Sequence, residues 1–174
     1  MIKKKKIKQY KKDFLIKYLI NQKLKLNTKV MIMQIKSIFN ENEYIPKKYT
    51  CKGEDINPPL YIENVPNDSE SLVLIIDDPD APNKTWVHWV VWNIDPKIKE
   101  IKENSIPGKQ GINDFGKYNY GGPCPPSGTH RYLFKLYALD KKVNLNKNTT
   151  KKELLKEIEG SIIEKTKLVG LFSN

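Results

Sequence analysis

Two histidines, one carboxylate-rich turn and one loop of glycines and prolines are the residues of this 174-residue chain whose types and spacing suit chemistry. His88 and His130 are its only histidines. An imidazole can donate and accept, and it changes charge near neutral pH, so it can hold a phosphate oxygen, ligate a metal or move a proton. Asp77-Asp78-Pro79-Asp80 follows an apolar run. Pro79 biases Asp78 to an extended backbone, which aims its carboxylate at the end of a strand. Gly121-Gly122-Pro123-Cys124-Pro125-Pro126-Ser127-Gly128 is a stiff loop with backbone amides to offer an anion. A nucleophile is not evident. Ser127 lies in a Pro-rich loop rather than a strand-to-helix elbow, and Cys124 is flanked by prolines with no helix N-terminus to activate it. Each piece alone also has a plain structural reading: a packed histidine, a turn, a stiff connection, and tryptophans that fill a core.

The elements that must position these residues are short. Leu72 to Asp77 (LVLIID) reads as a strand buried on both faces. Val87 to Ile94 (VHWVVWNI) and Tyr132 to Leu139 (YLFKLYAL) read as two more. On an extended chain Trp86, His88, Val90 and Trp92 share one face, and by the same parity His130 shares a face with Tyr132 and Phe134. Between these runs lie Pro, Gly and Asn clusters such as Asn57-Pro58-Pro59 and Pro66-Asn67-Asp68. Short strands with long Pro/Gly loops predict a mainly β fold, a two-sheet antiparallel β-sandwich rather than βαβ units. One helix is signalled. Thr150-Lys151-Lys152-Glu153 is a capping box, and Leu154, Ile158 and Ile162 follow at helical spacing, which predicts a helix over 150–166 with Gly160 its weak point.

Charge divides the chain. The formal net charge is +11, but residues 1–30 hold eleven lysines against Asp13, a net of +10, which leaves +1 for residues 31–174. We expect a basic N-terminal extension over 1–30, disordered or loosely helical, and one domain over 31–174. Ile7, Tyr10, Phe14 and Tyr18 fall near one stripe, so the extension also fits a basic amphipathic helix at a membrane surface; translation starting at Met31 or Met33 is a further reading. Lys17 interrupts the apolar residues a secretory signal needs, so we expect a cytoplasmic protein. No apolar run approaches the roughly 20 residues of a membrane span. Two cysteines exclude a disulfide-rich scaffold and a four-thiolate zinc site. The near-neutral body gives no reason to bind nucleic acid.

Taken together, DDPDAPNKTWVHWVVWNI (77–94) and YNYGGPCPPSGTHRYLFKLYALD (118–140) resemble the phosphatidylethanolamine-binding protein family, in particular its bacterial and archaeal Raf-kinase-inhibitor-like branch. IPKKYTCKGEDINPPL (45–60) and TKKELLKEIEGSIIEKTKLVGLF (150–172) resemble that branch's start and closing helix. The resemblance implies a β-sandwich with peripheral helices and a small pocket for phosphate-like anions and phospho-headgroups. It carries over Asp78, Trp86, His88, Gly122, Pro123, His130 and Tyr132 as the ligand-binding set, with no catalytic residue, metal or cofactor. The departure is in loop length: only three residues separate Pro82 from Trp86, and Gly128-Thr129-His130 is tight, which bears on the size of ligand admitted.

In such a pocket the donors would be the imidazoles, the Tyr132 hydroxyl and a backbone amide near Gly122. Asp78 suits an anion site if it accepts from one histidine and favours that ring's charged form. Arg131 points away from His130 by parity and is expected to pair with an acid of the Asp-Pro-Asp turn. Binding of phosphate or phosphoethanolamine should then weaken from pH 6 to pH 8. The partners implied are a phosphate-containing small molecule, a phospholipid headgroup or a phosphorylated protein, with a homodimer compatible with the branch. Two other readings remain: a metal-dependent or His-assisted hydrolase built on His88, His130 and Asp78, and membrane or nucleic-acid binding through the basic extension. Cys51 and Cys124 stand at family positions, and with no export signal both are expected as free thiols.

Overall fold

A computed structural model of the protein describes residues 31–174. The readings made of residues 1–30 lie outside the described residues. Three apolar runs become the central strands β4 (Ser71–Asp78), β5 (Trp86–Ile94) and β8 (Thr129–Leu139). Each is slightly longer than its apolar run, because the ladder hydrogen bonds extend past the side chains that are buried. With β2 (Glu43–Tyr44), β7 (Lys109–Gln110) and β9 (Ile162–Ser173) they form a six-stranded sheet in the order β2-β9-β8-β4-β5-β7. A smaller sheet has the order β1-β3-β6, from β1 (Gln34–Lys36), β3 (Leu60–Glu63) and β6 (Glu100–Ile101). Every pairing is antiparallel except β2 with β9.

The two faces of the large sheet are both buried, which is why β4 is apolar without alternation. Leu72, Leu74 and Ile76 point at the small sheet and pack with Leu60, Ile62, Trp89, Tyr132 and Phe134. Val73 and Ile75 point the other way and pack with Trp92, Leu154 and Ile158. That second layer is supplied by the helix α1 (Lys151–Ile158).

The helix is where the capping box places it, but shorter than 150–166. Thr150 accepts from the Glu153 amide, and Glu153 accepts in return from the Thr150 amide at 2.8 Å. The helix stops at Ile158, and Gly160 takes a positive φ of 83° that few other residues adopt. The chain then reverses into β9, so Ile162 is a strand residue, half-exposed, rather than the next helical contact.

Candidate ligand-binding site

Strand β4 ends and β5 begins at the pair Asp78–Trp86, so the carboxylate and the indole meet at one end of the sheet. Two pairs along, the register slips: Asp77 faces Val87 while Ile76 faces Trp89, leaving His88 as the extra residue of a β-bulge. The bulge overturns the simple alternation expected along β5. Val90 and Trp92 pack under the helix, whereas His88 turns to the opposite side, its ring edge-on to Tyr132 at 5.2 Å. On β8, where no bulge intervenes, His130, Tyr132 and Phe134 do share a face, and the latter two belong to the core between the sheets.

Asp78 is almost fully buried and accepts twice. Its Oδ2 lies 2.7 Å from His130 Nδ1, and its Oδ1 accepts from the Asp80 amide at 2.8 Å. A carboxylate next to an imidazole assigns the proton to Nδ1 and leaves Nε2 as the ring's free nitrogen. His88 Nδ1 lies 2.7 Å from the Gly121 carbonyl, which can only accept, so this ring too carries its proton on Nδ1. Burial, opposed in part by that carbonyl and by Asp78, holds the His88 pKa below the ordinary histidine value. Burial thus favours the neutral imidazole at His88, in which Nε2 has a lone pair to offer.

Asp78, Trp86 and His88 wall a cavity of about 340 Å³, closed on its other sides by Pro82, Phe115 and Cys124. The other four expected residues stand outside its lining. His130 is buried and contacts Asp78 through Nδ1. Tyr132 lies behind His88, fully buried, with a hydroxyl that has no hydrogen-bond partner. Burial first, and then the Asp78 charge, raise its pKa, opposed by the nearby Cys124 backbone, which lies outside good hydrogen-bond geometry. The Gly122 amide is not free for an anion as expected, because it donates to Asp55 Oδ1 at 2.6 Å. Pro123 is buried beside it and its carbonyl accepts from the Cys51 amide at 3.1 Å.

Those two hydrogen bonds, one to the Asp55 side chain and one between backbones, hold the loop against residues 50–55, where Cys51 and Cys124 lie at a Cα–Cα distance of 5.5 Å. The cysteines are joined in a disulfide, not the free thiols expected from the missing export signal. Arg131 behaves as its parity predicts. Its Nε donates to Asp80 Oδ2 at 2.9 Å and its Nη2 to Oδ1 at 2.7 Å, a two-pronged pair that lowers the Asp80 pKa to about 2.

Sequence reasoning missed Asp55 and Phe115. Nothing in GEDIN marks Asp55 as the acceptor for a loop 67 residues away. Phe115 had a local signal in Asn113-Asp114-Phe115-Gly116, a turn sequence with an aromatic at its tip. Among the described residues, no group of three or more His, Cys, Asp or Glu is arranged to hold a metal ion. A hollow of about 530 Å³ beside the start of α1 is lined by Lys84, Lys151 and Leu155, but these two lysines are already paired with Asp114 and Asp77.

Residues 35–173 match the family described as phosphatidylethanolamine-binding protein. The UPF0098 protein PH1269 of Pyrococcus horikoshii is 49% identical over 154 residues, covering 82% of this chain and 77% of that one. The UPF0098 protein of Methanothermobacter thermautotrophicus is 47% identical over 77% of this chain and 93% of its own length. Among solved structures, the putative phosphatidylethanolamine-binding protein homologue CT736 of Chlamydia trachomatis superposes with a TM-score of 0.80 at 40% identity, over 82% of this chain and 98% of that one. YbcL of E. coli, described as a member of the mammalian PEBP family, gives 0.75 at 27% identity over the same shares.

Proposed function

The chain belongs to the phosphatidylethanolamine-binding protein family, and we propose on that premise that it binds phosphate-bearing ligands, without turning them over, in the cavity walled by Asp78, Trp86 and His88. The observation that carries the reading is the contrast between the two histidines. His88 is neutral and has Nε2 to accept with, while His130 is bound to the only carboxylate in the cavity wall. A phosphate monoester near pH 6 carries one proton, since its second pKa lies near 6. That P–O–H donates to His88. The hydrogen bond from His130 engages the Asp78 carboxylate, which would otherwise repel an anion.

Binding fits this arrangement better than hydrolysis does. The Cys124 sulfur is committed to a disulfide, and Ser127 is not part of the cavity wall. Inorganic phosphate, a phospholipid headgroup and a phosphorylated protein share the chemistry read here. Calorimetry with phosphate, phosphoethanolamine and a phosphoserine peptide separates them. Affinity for whichever binds should fall as pH rises from 6 to 8, because the ligand loses the proton that His88 accepts. His88→Ala and His130→Ala should each weaken binding at least tenfold; ligand-induced thermal stabilisation that survives both substitutions would place the ligand elsewhere.

A further inference from the structure

Phe115 is an exposed aromatic residue on a turn that is held unusually firmly. Asn113 is buried and uses its side chain four times. Its Oδ1 accepts from the Phe115 amide at 3.0 Å and the Lys117 amide at 2.9 Å, and its Nδ2 donates to the carbonyls of Asn119 at 2.8 Å and His88 at 3.2 Å. The Gly116 amide closes the turn on the Asn113 carbonyl at 3.1 Å, with a φ of 71°. The turn is thus tied directly to the backbone of His88.

The ring it carries is 39% exposed and lies edge-on to His88 at 5.3 Å and to Trp86 at 5.5 Å. It rests on Gly121, where a Cβ would come within 2.6 Å of the ring. A glycine there is the condition for Phe115 to reach the cavity at all. Trp86 and Phe115 touch one another, so no flat group fits between them; a ligand meets them side by side as one wall. The charged groups facing this wall are already committed. Asp78 is held by His130 and the Asp80 amide, Asp80 by Arg131, and Asp114 by Lys84.

We propose that Phe115 is the specificity-determining residue of this cavity: it limits the ligand to phosphomonoesters with a compact organic group and excludes bulky ones. The proposal rests on the phospho-ligand reading above and assigns a filter to it. The filter acts by volume rather than by charge: the Asn113 turn fixes the backbone that carries Phe115, its ring is seated on Gly121 and against Trp86 and His88, and the carboxylates beside the wall are already paired.

The test compares phosphoethanolamine with phosphotyrosine by calorimetry at pH 6.5. The protein should prefer phosphoethanolamine at least fivefold. Phe115→Ala should reduce that ratio below twofold, and Phe115→Leu, which keeps most of the bulk, should retain it. A ratio unchanged in Phe115→Ala overturns the proposal, as does a uniform loss for both ligands. Should neither ligand bind either protein, the phospho-ligand reading fails, and a ligand-free measurement decides the role of Phe115. Diethylpyrocarbonate acylates a neutral imidazole, and mass spectrometry reads the rate at His88 alone. Phe115→Ala should raise that rate at least fivefold relative to His130, and an unchanged rate would show that Phe115 does not cover His88.

Discussion

His88 owes its chemistry to one extra residue. Without the bulge opposite Ile76 and Asp77, strict alternation would send its ring under the helix with Val90 and Trp92. With it, the ring is buried in its neutral form. This makes stability depend on pH in a definite direction. The unfolded chain takes up a proton at His88 near 6.5, the folded protein only at a lower pH, so stability present above 6.5 is lost as pH falls from there toward the folded value. Urea midpoints at pH 7.5 and 5.5 should therefore fall more for the wild type than for His88→Gln; equal falls would mean the ring is not held neutral. Tyr132 makes the complementary case. Its hydroxyl is buried without a partner, so Tyr132→Phe should leave the melting temperature of the unliganded protein unchanged or slightly higher, against the usual loss when a made hydrogen bond is removed. Parity alone was enough to place His130 with Tyr132, and Arg131 with an acid of the turn. It failed at His88 because a bulge is a property of two strands in register, and one strand's sequence does not show its partner.

At the scale of elements, sequence is most legible where local preference and burial agree. β4, β5 and β8 each carry a run of aliphatic and aromatic residues bounded by turn signals, and such runs read directly as strands. The three small-sheet strands run to four residues at most, too short for any period to show. The first residues of β9 read as helix because Ile162 continues the helical spacing of Leu154 and Ile158. Gly160 and eleven residues of pairing with β8 outweigh that spacing. The capping box still sets the helix start, and Thr150→Ala should cost about 1 kcal/mol in urea unfolding. The disulfide was illegible for a different reason: redox state was inferred from compartment, whereas the folded chain sets the two cysteines by hydrogen bonds at Pro123 and Gly122. Joining residues 73 apart chiefly restricts the unfolded chain, so Cys51→Ser with Cys124→Ser should lower stability by about 2–4 kcal/mol. The double variant should keep the two hydrogen bonds, and a loss below 0.5 kcal/mol would mean that they suffice.

At the scale of the whole molecule, the question is where the net charge of +11 acts. Residues 31–174 are nearly neutral, and among the described residues Met33, Leu60, Leu74, Trp89, Phe134 and Phe172 all belong to one core cluster. A ligand cavity whose wall holds no lysine or arginine cannot draw on a strong global field, so its affinity for phosphate should depend little on salt. The lysines of residues 1–30 should behave in the opposite way. We propose that they act as a separate basic extension, which attracts anionic surfaces through charge density and loses that attraction as salt screens it. The two contributions can then be separated by one pair of proteins. A chain beginning at Met31 should bind phosphate as the full chain does, while losing any binding to vesicles rich in phosphatidylserine or to duplex DNA that 0.3 M salt also abolishes. If the shortened chain keeps that salt-sensitive binding, the basic surface lies in the folded body. If it loses phosphate binding as well, residues 1–30 belong to the ligand site, and the division of the chain into an extension and a self-sufficient domain is wrong.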